Sequence, residues 1–224
     1  MPLTSPAAQP DTGNSSPGSV AKKAAPFGFQ PEPLVAAVWK GTKAMVKNDG
    51  TETNDKRFWD TFAGEMGEEV LQLRPVFDGF YANEFHGAKA ACGENPLARR
   101  AIDGLKAKGY DVVLATNPIF PLVGVETRLS WVGLRPEDFS YITAYENSTT
   151  CKPNPAYYAE ILRKTGKRPQ ECLMVGNDAT EDTAALEQGI GVYLVTDCLL
   201  NPKGRDISGV PQGTFAAFLE FAGV

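Results

Sequence analysis

Residues 173–189 read LMVGNDATEDTAALEQG: a short apolar run, a glycine, three acids inside five positions, and then a segment of helix formers. The run LMV, extended by Cys172, has the length and composition of a buried strand, and Gly176 ends it. Acids in the first turn of a following helix are favoured by its dipole, which accounts for one or two of them. Asp178 and Asp182 stand four apart, so both can face one crevice and hold a hard, oxygen-seeking cation. Magnesium suits such a place, because it keeps several waters and takes one or two carboxylates together with a phosphate of its substrate. Glu181 is read as a capping residue.

Three further apolar runs surround this one: DVVLAT at 111–116, YITAY at 141–145 and GVYLVT at 191–196, with helical patterns between them. Strands alternating with helices imply an α/β fold, a Rossmann-like parallel sheet covered on both faces. Ligands of such sheets bind beyond the carboxyl ends of the strands, so the residues after each run carry the functional expectation. After DVVLA come Thr116, Asn117 and Pro118, a hydroxyl, an amide and nearby backbone N–H groups that can hold a phosphate. An Asn-Pro pair by itself also marks an ordinary turn. After YITAY lies Cys151-Lys152-Pro153-Asn154-Pro155, in which Asn154 caps and Pro155 opens a helix bearing Tyr158 and Leu162. A lysine fixed before a helix start can neutralise phosphate charge, whereas an isolated lysine beside a cap is ordinarily solvated. Cys151 has no neighbouring histidine and reads as structural.

Towards the N-terminus the period changes. Asn95-Pro96 opens a helix with Leu97, Ala101, Ile102 and Leu105 on one face, closed by Gly109. Residues 20–90 read as wholly helical. One helix carries Leu34, Ala37, Val38, Gly41 and Met45; a second, capped by Thr53 or Asn54, carries Phe58, Trp59, Phe62 and Met66 and ends at Gly67. A third is expected from Glu68 to Phe85 with a bend at Pro75. Residues 1–19, MPLTSPAAQPDTGNSSPGS, hold almost nothing large and apolar and read as a disordered tail. The expected organisation is therefore a tail over 1–19, a helical unit over 20–90 and an α/β core over 91–224.

Composition narrows the function classes. With 42% hydrophobic residues and a formal charge of -5, the chain reads as an ordinary soluble protein. Lysines and arginines are outnumbered by acids and form no stripe, which argues against nucleic acid as a partner. No apolar run is long enough to span a membrane and no signal peptide is apparent, so the expected location is the cytoplasm. Cys92, Cys151, Cys172 and Cys198 lack any C-x-x-C pair, which indicates reduced thiols rather than zinc or disulfides. His86, the one histidine, is assigned no role.

From Asn95 to the C-terminus the chain resembles the phosphohydrolases of the haloacid dehalogenase-like superfamily. The likeness rests on ATN at 115–117, CKPNP at 151–155 and VGNDATED at 175–182, which match the family's second, third and fourth motifs in order. The helical segment before them resembles the small cap that many members insert after their first strand. The resemblance implies that Thr116, with Asn117, binds phosphoryl oxygens, that Lys152 balances the charge of nucleophile and phosphate, and that Asp178 and Asp182 position Mg2+. A small phosphorylated metabolite is the implied substrate.

The family's first motif is an Asp-x-Asp-x-Thr stretch after an apolar strand in the middle of the sheet, and its first aspartate is the nucleophile. No such stretch occurs in the sequence. Lys47-Asn48-Asp49-Gly50-Thr51 continues an amphipathic helix and has lysine in the nucleophile's place, and Asp11 follows a proline-rich tail. The expectation is thus an α/β core lacking its first strand, through either an incorrectly chosen start or a truncating gene event. As written, it would be a Mg2+-dependent phosphomonoester phosphatase with negligible turnover, because removing a covalent nucleophile removes the activated path. The alternative is a non-catalytic phosphate- and metal-binding protein acting as sensor or scaffold.

Overall fold

The computed structural model of the chain describes residues 17–92 and 95–224. Up to Ala91 the regular elements among these residues are all helical: α1 (Pro17–Ala24), α2 (Pro31–Val46), α3 (Asn54–Met66) and α4 (Arg74–Ala82), with 3-10 segments at Ala25–Phe27, Glu68–Leu73 and Glu84–Ala91. Helix α1 begins inside the stretch expected to be a tail, and Val20 and Ala24, one turn apart, are buried in the helical core. Residues 1–16, Asp11 included, lie outside the described residues.

Helices α2 and α3 meet closely. Leu34, Ala37, Gly41 and Met45 are the buried face of α2, and Phe58, Trp59, Phe62 and Ala63 are among the buried residues of α3. A Cβ on Gly41 would lie 2.7 Å from the Phe58 ring, so only glycine allows this crossing without a shift. Edge-on ring pairs continue the core, Phe58 to Trp59 at 5.3 Å and Trp59 to Phe77 at 5.2 Å. Trp39, by contrast, is exposed. The helix expected over 68–85 is divided: Glu68–Leu73 winds as 3-10, and Pro75 sits in the first turn of α4 rather than bending a continuous helix. Proline is at home there, where a missing N–H leaves no intrahelical bond unmade.

The second half alternates helices and strands: α5 (Leu97–Ala107), β1 (Val113–Leu114), α6 (Leu122–Trp131), β2 (Tyr141–Ile142), α7 (Pro155–Thr165), β3 (Leu173–Gly176), β4 (Gly191–Val195), β5 (Gln212–Gly213) and α8 (Phe215–Ala222). Every strand pairing is parallel, with Val113 opposite Tyr141, Leu173 opposite Gly191 and Leu194 opposite Gln212. The sheet comes in two pieces, β1-β2 and β3-β4-β5. The same two helices cover both pieces. On α5, Ala98 belongs to a cluster that packs Leu114 and Ile142, while Ala101 packs with Tyr193 and Val195. On α7, Tyr157 packs with Val192 and Leu194 in a cluster that also touches Ala115.

Among the described residues no strand lies between β1 and β3, the place expected to lack one. The consequence shows in burial. Strand β4, paired on both sides, is buried from Val192 to Val195, whereas β3 pairs with β4 alone and its apolar Leu173 is 44% exposed. Strand β1 likewise has only β2, and regular pairing covers two residues of the six-residue apolar run.

The two halves meet in the helical cluster, where Tyr145 and Cys151 are buried. All four cysteines are free thiols. Among the described residues no helix is long and apolar enough to cross a membrane.

Candidate active site

The acids after β3 each have a separate task. Asp182 lies against the strand end: a Cβ on Gly176 would stand 2.0 Å from its Oδ2, so the carboxylate occupies the space that a side chain would fill. Oδ2 accepts from the Asp178 backbone N–H at 2.9 Å, and Oδ1 accepts from Lys152 Nζ at 2.7 Å. Asp178 turns its Oδ1 back onto its own loop, accepting from the N–H groups of Thr180 (2.7 Å) and Glu181 (2.8 Å). The Glu181 side chain makes no cap hydrogen bond, against the expectation; its Oε1 accepts from Asn117 Nδ2 at 3.0 Å and so joins the end of β1 to the acidic turn. Burial pushes the Glu181 carboxyl up to about 7; Asp178 and Asp182 push the same way, and Lys152 and Asn117 oppose them.

At the end of β1, the Thr116 hydroxyl donates to the Thr143 carbonyl at 3.2 Å. The Thr116 carbonyl accepts from Tyr157 OH at 2.6 Å and from Thr143 Oγ1 at 3.0 Å. In this arrangement the Thr116 hydroxyl faces β2. Asn117 Oδ1 is buried and has no hydrogen-bond partner among the described residues. Lys152 enters just before α7, whose cap Asn154 accepts from the Ala156 N–H at 3.0 Å as its sequence predicts. Its Nζ lies 5.7 Å from the Tyr157 ring and 6.0 Å from the Tyr158 ring, and Tyr158 OH donates to the Glu181 carbonyl at 2.7 Å. Lys152, Asp182, Asp178 and Glu181 therefore form one hydrogen-bonded group, and Asn117 joins it through Glu181.

Sequence reasoning weighed Asn54 only as an alternative cap and missed its part in the site. Thr53 is the cap, its side chain accepting from the Lys56 N–H at 3.3 Å. The Asn54 side chain is fully buried and points to the core loops, with Nδ2 at 3.0 Å from the Pro118 carbonyl, 3.5 Å from the Thr150 carbonyl and 3.4 Å from Cys151 Sγ. Only one of two adjacent residues can cap a helix, and the spare polar side chain was the available signal. Burial pushes the Cys151 thiol up to about 12, which suits a structural thiol rather than a nucleophile. Asp49 is exposed and held by Thr51 and Arg57, away from this group. His86 accepts on Nδ1 from Trp131 Nε1.

A cation would meet an excess of hard oxygen donors, three carboxyl groups against one lysine. Among the described residues no three or more His, Cys, Asp or Glu side chains converge as a ready-made cage. A magnesium ion here would have at most one or two carboxylates, Asp178 and Asp182, and would need its remaining ligands from water and a phosphate.

Parallel strands bearing a Thr-Asn turn, a buried lysine and an acidic turn at their carboxyl ends define an α/β enzyme fold with its polar site at the strand tips. Residues 20–189 match the haloacid dehalogenase-like hydrolases, and the chain belongs to that family. Among solved structures it is similar to a predicted phosphoglycolate phosphatase from Haemophilus somnus 129pt, at 20% identity over 93% of this chain and 92% of that one, with a TM-score of 0.53. A HAD phosphatase from Thermococcus onnurineus gives 16% identity over 87% and 92% of the two chains and a TM-score of 0.51. A dehalogenase gives 16% identity over 92% and 91%, with a TM-score of 0.53. At these identities the likeness establishes the fold. No curated protein sequence matches the chain.

Proposed function

We propose that the chain carries the phosphate- and magnesium-binding part of a phosphomonoester phosphatase site, and that its 224 residues bind a small phosphorylated metabolite without turning it over. The observation that carries this reading is the buried Lys152–Asp182 pair, which joins the loop between β2 and α7 to the loop after β3. An ammonium has three donors, so anchoring on Asp182 leaves two for phosphate oxygens. Thr116 and Asn117 are the further phosphate contacts, after a rotation of the Thr116 hydroxyl away from Thr143. Asp178, with Asp182, would hold Mg2+, because a carboxylate oxygen has lone pairs for both a hydrogen bond and a metal. When bound, magnesium would supply neutralisation of phosphate charge.

The binding-only assignment rests on the sequence. No Asp-x-Asp-x-Thr stretch occurs in it, and Asp49, the nearest imitation, is exposed and tied to Arg57. A sensor or scaffold role is the corresponding second reading, favoured by the same combination of an intact lysine–acid pair and no nucleophile. A cytoplasmic location accords with four free thiols.

Melting curves with inorganic phosphate, with and without MgCl2, together with p-nitrophenyl phosphate turnover, test both parts. The expected result is a phosphate-dependent rise in Tm that requires magnesium, because a ligand that binds only the native state stabilises it. No release of p-nitrophenol is expected. A melt indifferent to phosphate overturns the site, and magnesium-dependent turnover overturns the binding-only assignment.

A further inference from the structure

The N-terminus of α3 is docked on the α/β half by its own unsatisfied donors. First-turn N–H groups have no intrahelical acceptor. Here the Asn54 N–H donates to the Ser148 carbonyl at 2.8 Å and the Asp55 N–H to the Tyr145 carbonyl at 2.9 Å. The Asn54 side chain extends this contact to two loops. Pro118 follows Asn117 directly, and Thr150 and Cys151 lead directly into Lys152. One buried amide thus donates to the loop after β1 and to the loop before α7. Its own oxygen accepts from Asn48 Nδ2 at 2.8 Å, and Asn48, also buried, donates to the Glu52 carbonyl at 2.9 Å. The amide is therefore oriented from behind, with its NH2 directed at the loops.

We propose that Asn54 is a positioning residue: from the helical half it sets the spacing between the Thr116–Asn117 turn and Lys152, and through that spacing the affinity of the site for phosphate. A fully buried amide is costly unless its bonds are made. The amide earns no contact with the ligand; it fixes the two loops that do.

The phosphate readout rests on the function proposed above, so the test has an arm that does not. In Asn54→Ala, amide hydrogen exchange should quicken about tenfold in residues 116–120 and 149–153 together, the size expected for losing one or two buried hydrogen bonds. Exchange in β4 should keep its wild-type rate. Phosphate affinity in magnesium should fall by about tenfold on the same arithmetic. Phe62→Leu loosens the same helical core through its contacts with Phe58, Trp59 and Phe77 and should leave the affinity unchanged. If Asn54→Ala does not fold, Asn54→Ser carries the comparison with a smaller effect, since its hydroxyl can keep one donor contact. In the wild-type chain, phosphate with magnesium should slow exchange at 48–56 as well as in the two loops.

Wild-type exchange in both loops of a folded Asn54 variant overturns the proposal, as does a loss of affinity in Phe62→Leu equal to that in Asn54→Ala. Failure of the wild-type chain to bind phosphate would instead overturn the proposed function, and loop exchange would still decide the role of Asn54.

Discussion

Lys152 Nζ and Asp182 Oδ1 meet at 2.7 Å with each side chain only 5% exposed, so a cation from one loop and an acid from another are joined almost without water. Such a pair is a poor source of net stability, because desolvation offsets most of the attraction; breaking it, however, strands a buried charge. Lys152→Met is therefore expected to cost about 3–5 kcal/mol in urea unfolding. The double variant Lys152→Met/Asp182→Leu should recover much of that loss. Equal losses in the single and double variants would show that the two groups are not coupled.

Gly176 permits this pairing by having no side chain. An added Cβ would stand 2.0 Å from Asp182 Oδ2, an atom held by the Asp178 N–H. Nothing at that spot is the loose end of a flexible chain. Gly176→Ala should lower stability by about 1–3 kcal/mol, the usual range for forced overpacking, and displace Asp182 from Lys152. Its phosphate-dependent rise in Tm should disappear. An unchanged urea midpoint would mean that the carboxylate is free to move aside.

How much of this could be read beforehand depended on the range of the interactions. The runs at 111–116, 141–145, 172–176 and 191–196 each contain a strand, β1 to β4, because strands of a covered parallel sheet are apolar, although regular pairing takes up only two residues of each of the first two runs. Thr53, Asn154 and Gly67 ended or began helices where expected, since caps act within one turn. Distant pairings left no such mark. Asn117 and Glu181 are 64 residues apart, as are Asn54 and Pro118, and no local period reports either bond. The acids after β3 were legible as a group and not individually, because their division of labour depends on Lys152 arriving from another loop. Strand β5 is two residues, Gln212 and Gly213, with no apolar signal of their own.

Glu181 makes the stability of the metal-free chain depend on pH. Its folded value of about 7 lies above the ordinary 4.5, chiefly through burial. The native state thus holds a proton that the unfolded state gives up, and stability falls as pH rises between those values. Below about pH 4.5 both states are protonated and the cost vanishes. Glu181→Gln keeps an acceptor for Asn117 Nδ2 and removes the titration. In EDTA it should match wild type near pH 4.5 and become progressively more stable than wild type up to about pH 7.5. A constant difference between the two proteins across this range would show that Glu181 does not titrate there.

Asp178 separates folding from metal binding. Its Oδ1 caps the turn by accepting from the Thr180 and Glu181 N–H groups, a task that an asparagine oxygen performs equally well. Asp178→Asn should therefore leave the urea midpoint nearly unchanged, within about 0.5 kcal/mol, as for substitutions that keep local bonds. What it removes is the negative charge of Asp178, the charge that would meet Mg2+ in the proposed site. Phosphate should then raise Tm by the same small amount with or without MgCl2. If magnesium still strengthens phosphate binding in this variant, the cation is held elsewhere and Asp178 serves only its own turn.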